Sequence, residues 1–130
     1  FPHWNLMEGL LISDMGHFDR KDLLKLLPPN LPRVNIMFDD PGINSVMADD
    51  ADGMRQAVEY LLSGGHRRIG YLSHLKHPTL QQRHRAYRAT LIANKVTPQQ
   101  EWVYSKVLPL FPNYYEYGYY AMQQWLNFGG

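Results

Sequence analysis

Six histidines, two adjacent aspartate pairs and a double glycine are the residues in this chain with the most chemistry to offer. His74, His77 and His84 form the closest histidine cluster. A zinc site needs three or four converging ligands held by further hydrogen bonds. Here the spacing runs from a loop into a helix, with no acidic residue or cysteine between, so no metal site is expected. Asp39-Asp40 and Asp49-Asp50 are neighbours in sequence, but side chains of adjacent extended residues diverge, which argues against a carboxylate pair sharing a proton. Gly64-Gly65 follows a helical pattern, whereas phosphate-gripping loops precede one. The run His66-Arg67-Arg68 lacks the further cations and aromatic platforms of a nucleic-acid surface, and His66 suits a helix end better than a base. With no cysteine there is no thiolate nucleophile, disulfide or cysteine-based zinc site. These residues predict no enzyme and call for no cofactor.

The elements that must position any binding group alternate between strands and helices. Glu8 to Ser13 is a short apolar run suited to a buried strand. Asp19 to Leu27 carries Leu23, Leu24 and Leu27 at helical spacing, and Pro28-Pro29 ends it. Arg33 to Phe38 reads as a second strand, Asp39-Asp40-Pro41-Gly42 as the turn leaving it, and Ser45 to Ala48 as a third extended stretch. Asp49, Asp50 and Asp52 supply candidate caps for the clearest helix. Met54, Ala57, Val58, Leu61 and Leu62 form its apolar face, and Gly64-Gly65 its stop. Arg68 to Ser73 is the next strand. Thr79 to Asn94 is a helix burying Leu80, Tyr87, Leu91 and Ile92. Trp102 to Val107 alternates like a strand, and Glu116 to Leu126 is a last helix with Tyr117, Tyr120, Ala121 and Trp125 available for packing. This order implies a parallel sheet with right-handed crossovers.

The chain has 130 residues, 45% of them hydrophobic and 19% charged, which is a globular composition. Its net charge of +1 gives it no general attraction to DNA or anionic lipid. Apolar runs such as Leu10-Leu11-Ile12 are too short to cross a bilayer. No leader-like segment opens the chain, and the expected location is cytoplasmic. Both ends are expected to lie within the sheet architecture, leaving it incomplete.

From Ser45 onward the sequence resembles the LacI/GalR transcriptional regulators. The resemblance rests on Ser45-Val46 through Asp50, Gly53, Ala57-Val58-Glu59-Tyr60-Leu61-Leu62 and Gly65-His66-Arg67-Arg68-Ile69-Gly70-Tyr71. Arg83, Ala86-Tyr87, Ala89 and Leu91 resemble that family's Arg-x-x-Gly-aromatic helix, with Ala86 in place of the glycine. Gly118 to Met122 with Leu126 resembles a later helix, and Glu8-Gly9-Leu10-Leu11-Ile12 a strand usually written Asp-Gly-Ile-Ile. The resemblance implies an α/β effector-binding region with a three-layer parallel sheet, type I periplasmic-binding-protein-like. Residues 1–75 would belong to its N-terminal lobe and 76–130 to its C-terminal lobe, crossing at Lys76 to Pro78. It further implies a small-molecule effector, carbohydrate in character, held between the lobes. A homodimer would bind operator DNA through a helix-turn-helix outside this chain. The alternative is a periplasmic sugar receptor of a transport system.

The resemblance also nominates site residues. Asp39 matches a carboxylate that binds ligand hydroxyls, against the simpler role of starting a turn. Arg83 matches an arginine that reaches the ligand, and this reading is preferred to a solvated basic face shared with Arg85 and Arg88. Thr79 matches a hydroxyl position but could equally cap its helix, and Ser13 matches a polar position at a strand's carboxyl end. Phe111 matches an aromatic that stacks on ligand, with Tyr114 as its rival. Asp52 is read as a helix cap and not as a ligand contact.

Overall fold

The computed structural model describes residues 6–13, 20–106 and 114–128. They form two compact units, residues Phe1–Ala48 and Asp49–Gly130. The second unit is opened by a helix whose apolar stripe packs on a helix later in the chain.

In the first unit, β1 (Leu10–Ser13), β2 (Arg33–Ile36) and β3 (Asn44–Val46) form a parallel sheet in that order. The register pairs Ile12 with Asn35 and Asn35 with Ser45, so these three side chains share one face. That face is the buried one. Ile12 packs with Leu27 and Phe38, flanked by Leu10 and Leu24, whereas Leu11 on the opposite face is exposed. Helix α1 (Arg20–Leu26) delivers Leu24 to this core and stops ahead of Pro28-Pro29. Parallel strands normally need a long crossover, yet β2 reaches β3 through residues 37–43. Two left-handed residues lie in this tight return, Met37 at φ 68° and Gly42 at φ 82°. Met37 donates its N–H to Val46 O at 2.8 Å, and Ile43 donates to Asp40 O at 3.2 Å. Pro41 and Gly42 thus occupy the central positions of a turn starting at Asp40, one residue later than the sequence suggests.

The second unit begins with α2 (Asp50–Ser63), followed by β4 (Tyr71–Leu72), α3 (Pro78–Ala93), β5 (Val103–Tyr104) and α4 (Tyr114–Phe128). Asp49 caps α2 by accepting from the Asp52 N–H at 2.9 Å. Gly65, at φ 85°, ends the helix in the left-handed region that glycine favours. Met54, Val58 and Leu62 recur every fourth residue and face α3, whose Tyr87 and Leu91 do the same. With Ile69, Tyr71 and Val96 they form the core. The stripe is narrower than the sequence suggests: Ala57 and Leu61 are exposed on α2, as is Ile92 on α3. Tyr87 is buried ring and hydroxyl alike because its O–H donates to Ile69 O at 2.7 Å.

Strands β4 and β5 pair in parallel, Tyr71 with Val103 and Leu72 with Tyr104. They are shorter than the expected Arg68–Ser73 and Trp102–Val107, because residues 66–70 lead in without strand pairing. Helix α4 buries Ala121 completely and places Trp125 beside the Tyr104 ring, 6.1 Å between centroids. A Cβ on Gly70 would lie 2.6 Å from Trp125 Cη2, so only glycine allows this approach. Gly70→Ala should destabilise the fold by roughly 1–3 kcal/mol through overpacking. Urea unfolding checks this, and a Trp125→Leu background should relieve most of the cost.

Candidate functional site

The first unit gathers hydrogen-bond acceptors at the carboxyl end of its sheet. In open α/β sheets this is the end that receives ligands. Ser13 is the last residue of β1 and is exposed. Asp39, also exposed, accepts at Oδ1 from Ser45 Oγ at 3.0 Å, so the carboxylate is braced by β3. Asp40 accepts at Oδ2 from Asn35 Nδ2 at 3.3 Å. Asn35 has no exposed surface, and its Oδ1 has no hydrogen-bond partner. A buried amide oxygen left unpaired is costly, and this one belongs to a side chain bound through its other end to the Asp40 carboxylate, two residues before a left-handed Met37. Sequence reading missed Asn35. A polar residue in the middle of an apolar strand was its only signal.

In the second unit the decisive residue is Arg83. Its Nε donates to Asp50 Oδ1 at 2.5 Å, joining the first turn of α2 to α3. The two ends differ in setting: the Asp50 side chain is 5% exposed and that of Arg83 is 41% exposed. Asp50 lies on the stripe that continues through Met54, Val58 and Leu62, and Arg83 on the one through Tyr87 and Leu91, so helix packing brings them together. Arg83 is therefore neither a free basic face nor an unattached ligand arm, because one edge of its guanidinium is already held. Thr79 stands one turn earlier on the same side of α3 and is half-buried.

Two capping assignments are corrected. His77 caps α3, its Nδ1 accepting from the Thr79 N–H at 3.3 Å, and Pro78 takes the first helical position. Thr79 is thus inside the helix and is not its cap. Asp52 likewise lies inside α2, where its carboxylate accepts from Arg55 and from Gln56. These bonds hold its pKa below the usual aspartate value.

The histidines have separate surroundings. His84 stacks against Tyr87 and lies 5.2 Å from the Tyr71 ring, while His74 meets the Tyr117 ring edge-on at 5.4 Å. Among the described residues no three His, Asp or Glu side chains converge as a metal site would require. Phe111 lies outside the described residues, as does the side chain of its rival Tyr114. Thr79 and Arg83 are brought together in one unit, and Ser13 and Asp39 both lie near the strand ends of the other.

The comparisons with known proteins bear on this arrangement. No protein-family model matches the chain. Over 98 residues it is 26% identical to the probable HTH-type transcriptional repressor ExuR of Bacillus subtilis, covering 73% of this chain and 29% of that repressor. Among solved structures, a LacI family transcriptional regulator from Mycobacterium smegmatis superimposes with a TM-score of 0.67 at 28% identity. That match covers 93% of this chain and 42% of the other. Transcription regulator GntR from Chromobacterium violaceum gives 0.66 at 25% identity, with 92% and 43% covered. The chain is thus similar to LacI-type regulators in sequence and in fold. Transcription regulator CcpA of Lactococcus lactis, at 21% identity, supports the same fold with a TM-score of 0.68 over 97% of this chain and 45% of that one. The chain spans less than half the length of each relative. Its alternation of helices with parallel strands is the periplasmic-binding-protein-like fold of those regulators' effector domains.

The Arg83–Asp50 pair and the half-buried His84 of the second unit each have a measurable effect on stability. Arg83→Met leaves the buried Asp50 carboxylate unpaired and should cost about 3 kcal/mol or more. Asp50→Asn should cost clearly less, since the guanidinium it leaves is reached by water. Urea unfolding of both variants and the double variant measures the asymmetry. His84 has its pKa lowered from the ordinary 6.5 by burial and by the charge of Arg88. Above pH 6.5 the imidazole is neutral whether folded or unfolded, and its contribution to stability is complete. As pH falls through 6.5 the unfolded chain takes up the proton first, so stability drops until the folded imidazole also titrates. His84→Phe should flatten the melting-temperature profile between pH 7 and 5.

Proposed function

We propose that this chain is the ligand-sensing part of a LacI-type transcriptional repressor, taking up a small hydroxyl-rich metabolite, a carbohydrate, and performing no catalysis. The observation that carries the reading is Arg83: a guanidinium held at Nε by a buried carboxylate, on a side chain that is still 41% exposed. A planar donor fork fixed in this way suits vicinal hydroxyls, because less freedom is lost when they bind. Thr79 adds a hydroxyl one turn away. Taken separately, the first unit offers acceptors for hydroxyl protons at Asp39, with Ser13 at the neighbouring strand end. The family resemblance adds Phe111 as the aromatic that would stack on a sugar ring.

In this reading the protein is a cytoplasmic homodimer. Operator DNA is contacted by a helix-turn-helix outside these 130 residues, and the effector acts through its different affinity for two conformations. The relatives named above are regulators, which favours this over a transport receptor. No helix among the described residues is long and apolar enough to cross a membrane.

Calorimetry of the protein against a panel of mono- and disaccharides tests the reading. Arg83→Ala should weaken binding by on the order of 1–3 kcal/mol, since it removes a charge-assisted partner. Asp39→Asn should weaken it as well. Unchanged affinity in Arg83→Ala, measured on protein confirmed as folded, would remove Arg83 from the site.

A further inference from the structure

Asp50 is the buried charged residue to which neither the family resemblance nor the site nominations assign a role. We propose that it is a positioning and specificity-determining residue. It grips Arg83 at Nε and cancels its charge, so that the group offered to a ligand is a neutral donor fork that selects uncharged polyols over carboxylates and phosphates. This inference rests on the reading of Arg83 as ligand-facing and adds the class of ligand it takes.

Three observations carry it. First, the bond to Asp50 uses the Nε–H, and the four remaining guanidinium hydrogens are on the two terminal nitrogens. Donation to a ligand therefore does not require the ion pair to break. Second, Asp50 is nine-tenths or more buried and anchored on the first turn of a core helix, so it cannot swing away when an anion approaches. An anion at the outer edge of Arg83 would lie within a few ångströms of a fixed like charge, with Asp49 as a further carboxylate on the same turn. Third, each nearby helix start already has an amide engaged by its own capping side chain: the Asp52 N–H of α2 donates to Asp49, and the Thr79 N–H of α3 donates to His77, which leaves an anion fewer donors there. Arg55, the other cation on this part of α2, is occupied by Asp52 and Glu59. A hydroxyl-bearing neutral ligand meets none of these penalties, since it needs donors and acceptors and no net charge.

The test uses matched pairs: neutral aldoses, the corresponding uronic acids and the corresponding sugar phosphates. Each is measured on the protein by thermal shift and calorimetry. The wild type should bind the neutral member of a pair at least about tenfold more tightly than either anion. Asp50→Asn keeps an oxygen to receive the Nε–H but removes the charge, and should narrow that ratio about tenfold by improving the anions. Asp50→Ala should weaken the neutral ligand too and broaden the Arg83 Nε–H resonance, which Asp50→Asn should preserve. An anion preferred by the wild type, or a ratio unmoved in Asp50→Asn, overturns the inference. If Arg83→Ala abolishes binding in that case, the site reading stands without it. If Arg83→Ala changes nothing, or no member of any pair binds the wild type, both fall together.

Discussion

The contact between α2 and α3 is the constraint on which the second unit depends, and it ends in a charge. Position 50 belongs to the same fourfold stripe as Met54, Val58 and Leu62, so packing α2 on α3 necessarily removes Asp50 from water. A carboxylate in that setting is tolerable only with a charged or multiply bonded partner. Arg83 is the residue at the equivalent end of the α3 stripe, four before Tyr87 and eight before Leu91. The ion pair is therefore no decoration on a finished core. It fixes which turn of α3 sits against the start of α2, and so fixes where Thr79 and the free edge of Arg83 stand.

The first unit answers a different constraint. Its return from β2 to β3 is too short for a helical crossover, so the chain turns with two left-handed residues. Glycine adopts that conformation readily, but methionine does so only where surrounding bonds enforce it. Here the Met37 N–H is fixed to β3, while Phe38 is buried beside Ile12 and Leu27. The return also leaves Asp39 and Asp40 next to each other at the strand ends with different duties. Asp39 is braced by a hydroxyl and faces water, whereas Asp40 starts the turn and receives the buried Asn35 amide. Adjacent aspartates that look equivalent in sequence are thus separated by what the backbone does between them.

Much of this was legible from spacing. The helices were readable because α2 and α3 each carry an apolar residue every fourth position, and because prolines and glycines mark their limits. The strands were readable in place but not in length, since pairing depends on a partner strand that local pattern does not reveal. Asp50 was not legible, because a charge that continues an apolar stripe looks like the end of the stripe. Only the matching arginine on another helix, 33 residues away, converts it into a core position. Caps were misplaced for a related reason. Three aspartates in four residues, or His77 and Thr79 around a proline, each offer a capping side chain, and the choice depends on where the first helical turn closes. Leu61 and Ile92 extend the apolar faces of α2 and α3 beyond the contact, because two helices that meet bury a narrower stripe than their hydrophobic spacing implies.

One consequence links core and site more tightly than either does alone. A binding arginine on a mobile surface chain can be repositioned by its ligand without disturbing the fold. Arg83 cannot, because its Nε is tied to a helix turn whose other residues are the core. Under the proposed function, a ligand that engages the outer edge of the guanidinium acts directly on the α2–α3 contact. Any difference in how well that contact accommodates the bound geometry becomes a difference in ligand affinity between two packings. That differential is all a sensor needs to bias a conformational equilibrium. A fixed, charge-compensated arginine gives up raw attraction for an anion, and in exchange it ties recognition of a neutral molecule to the packed core of the unit.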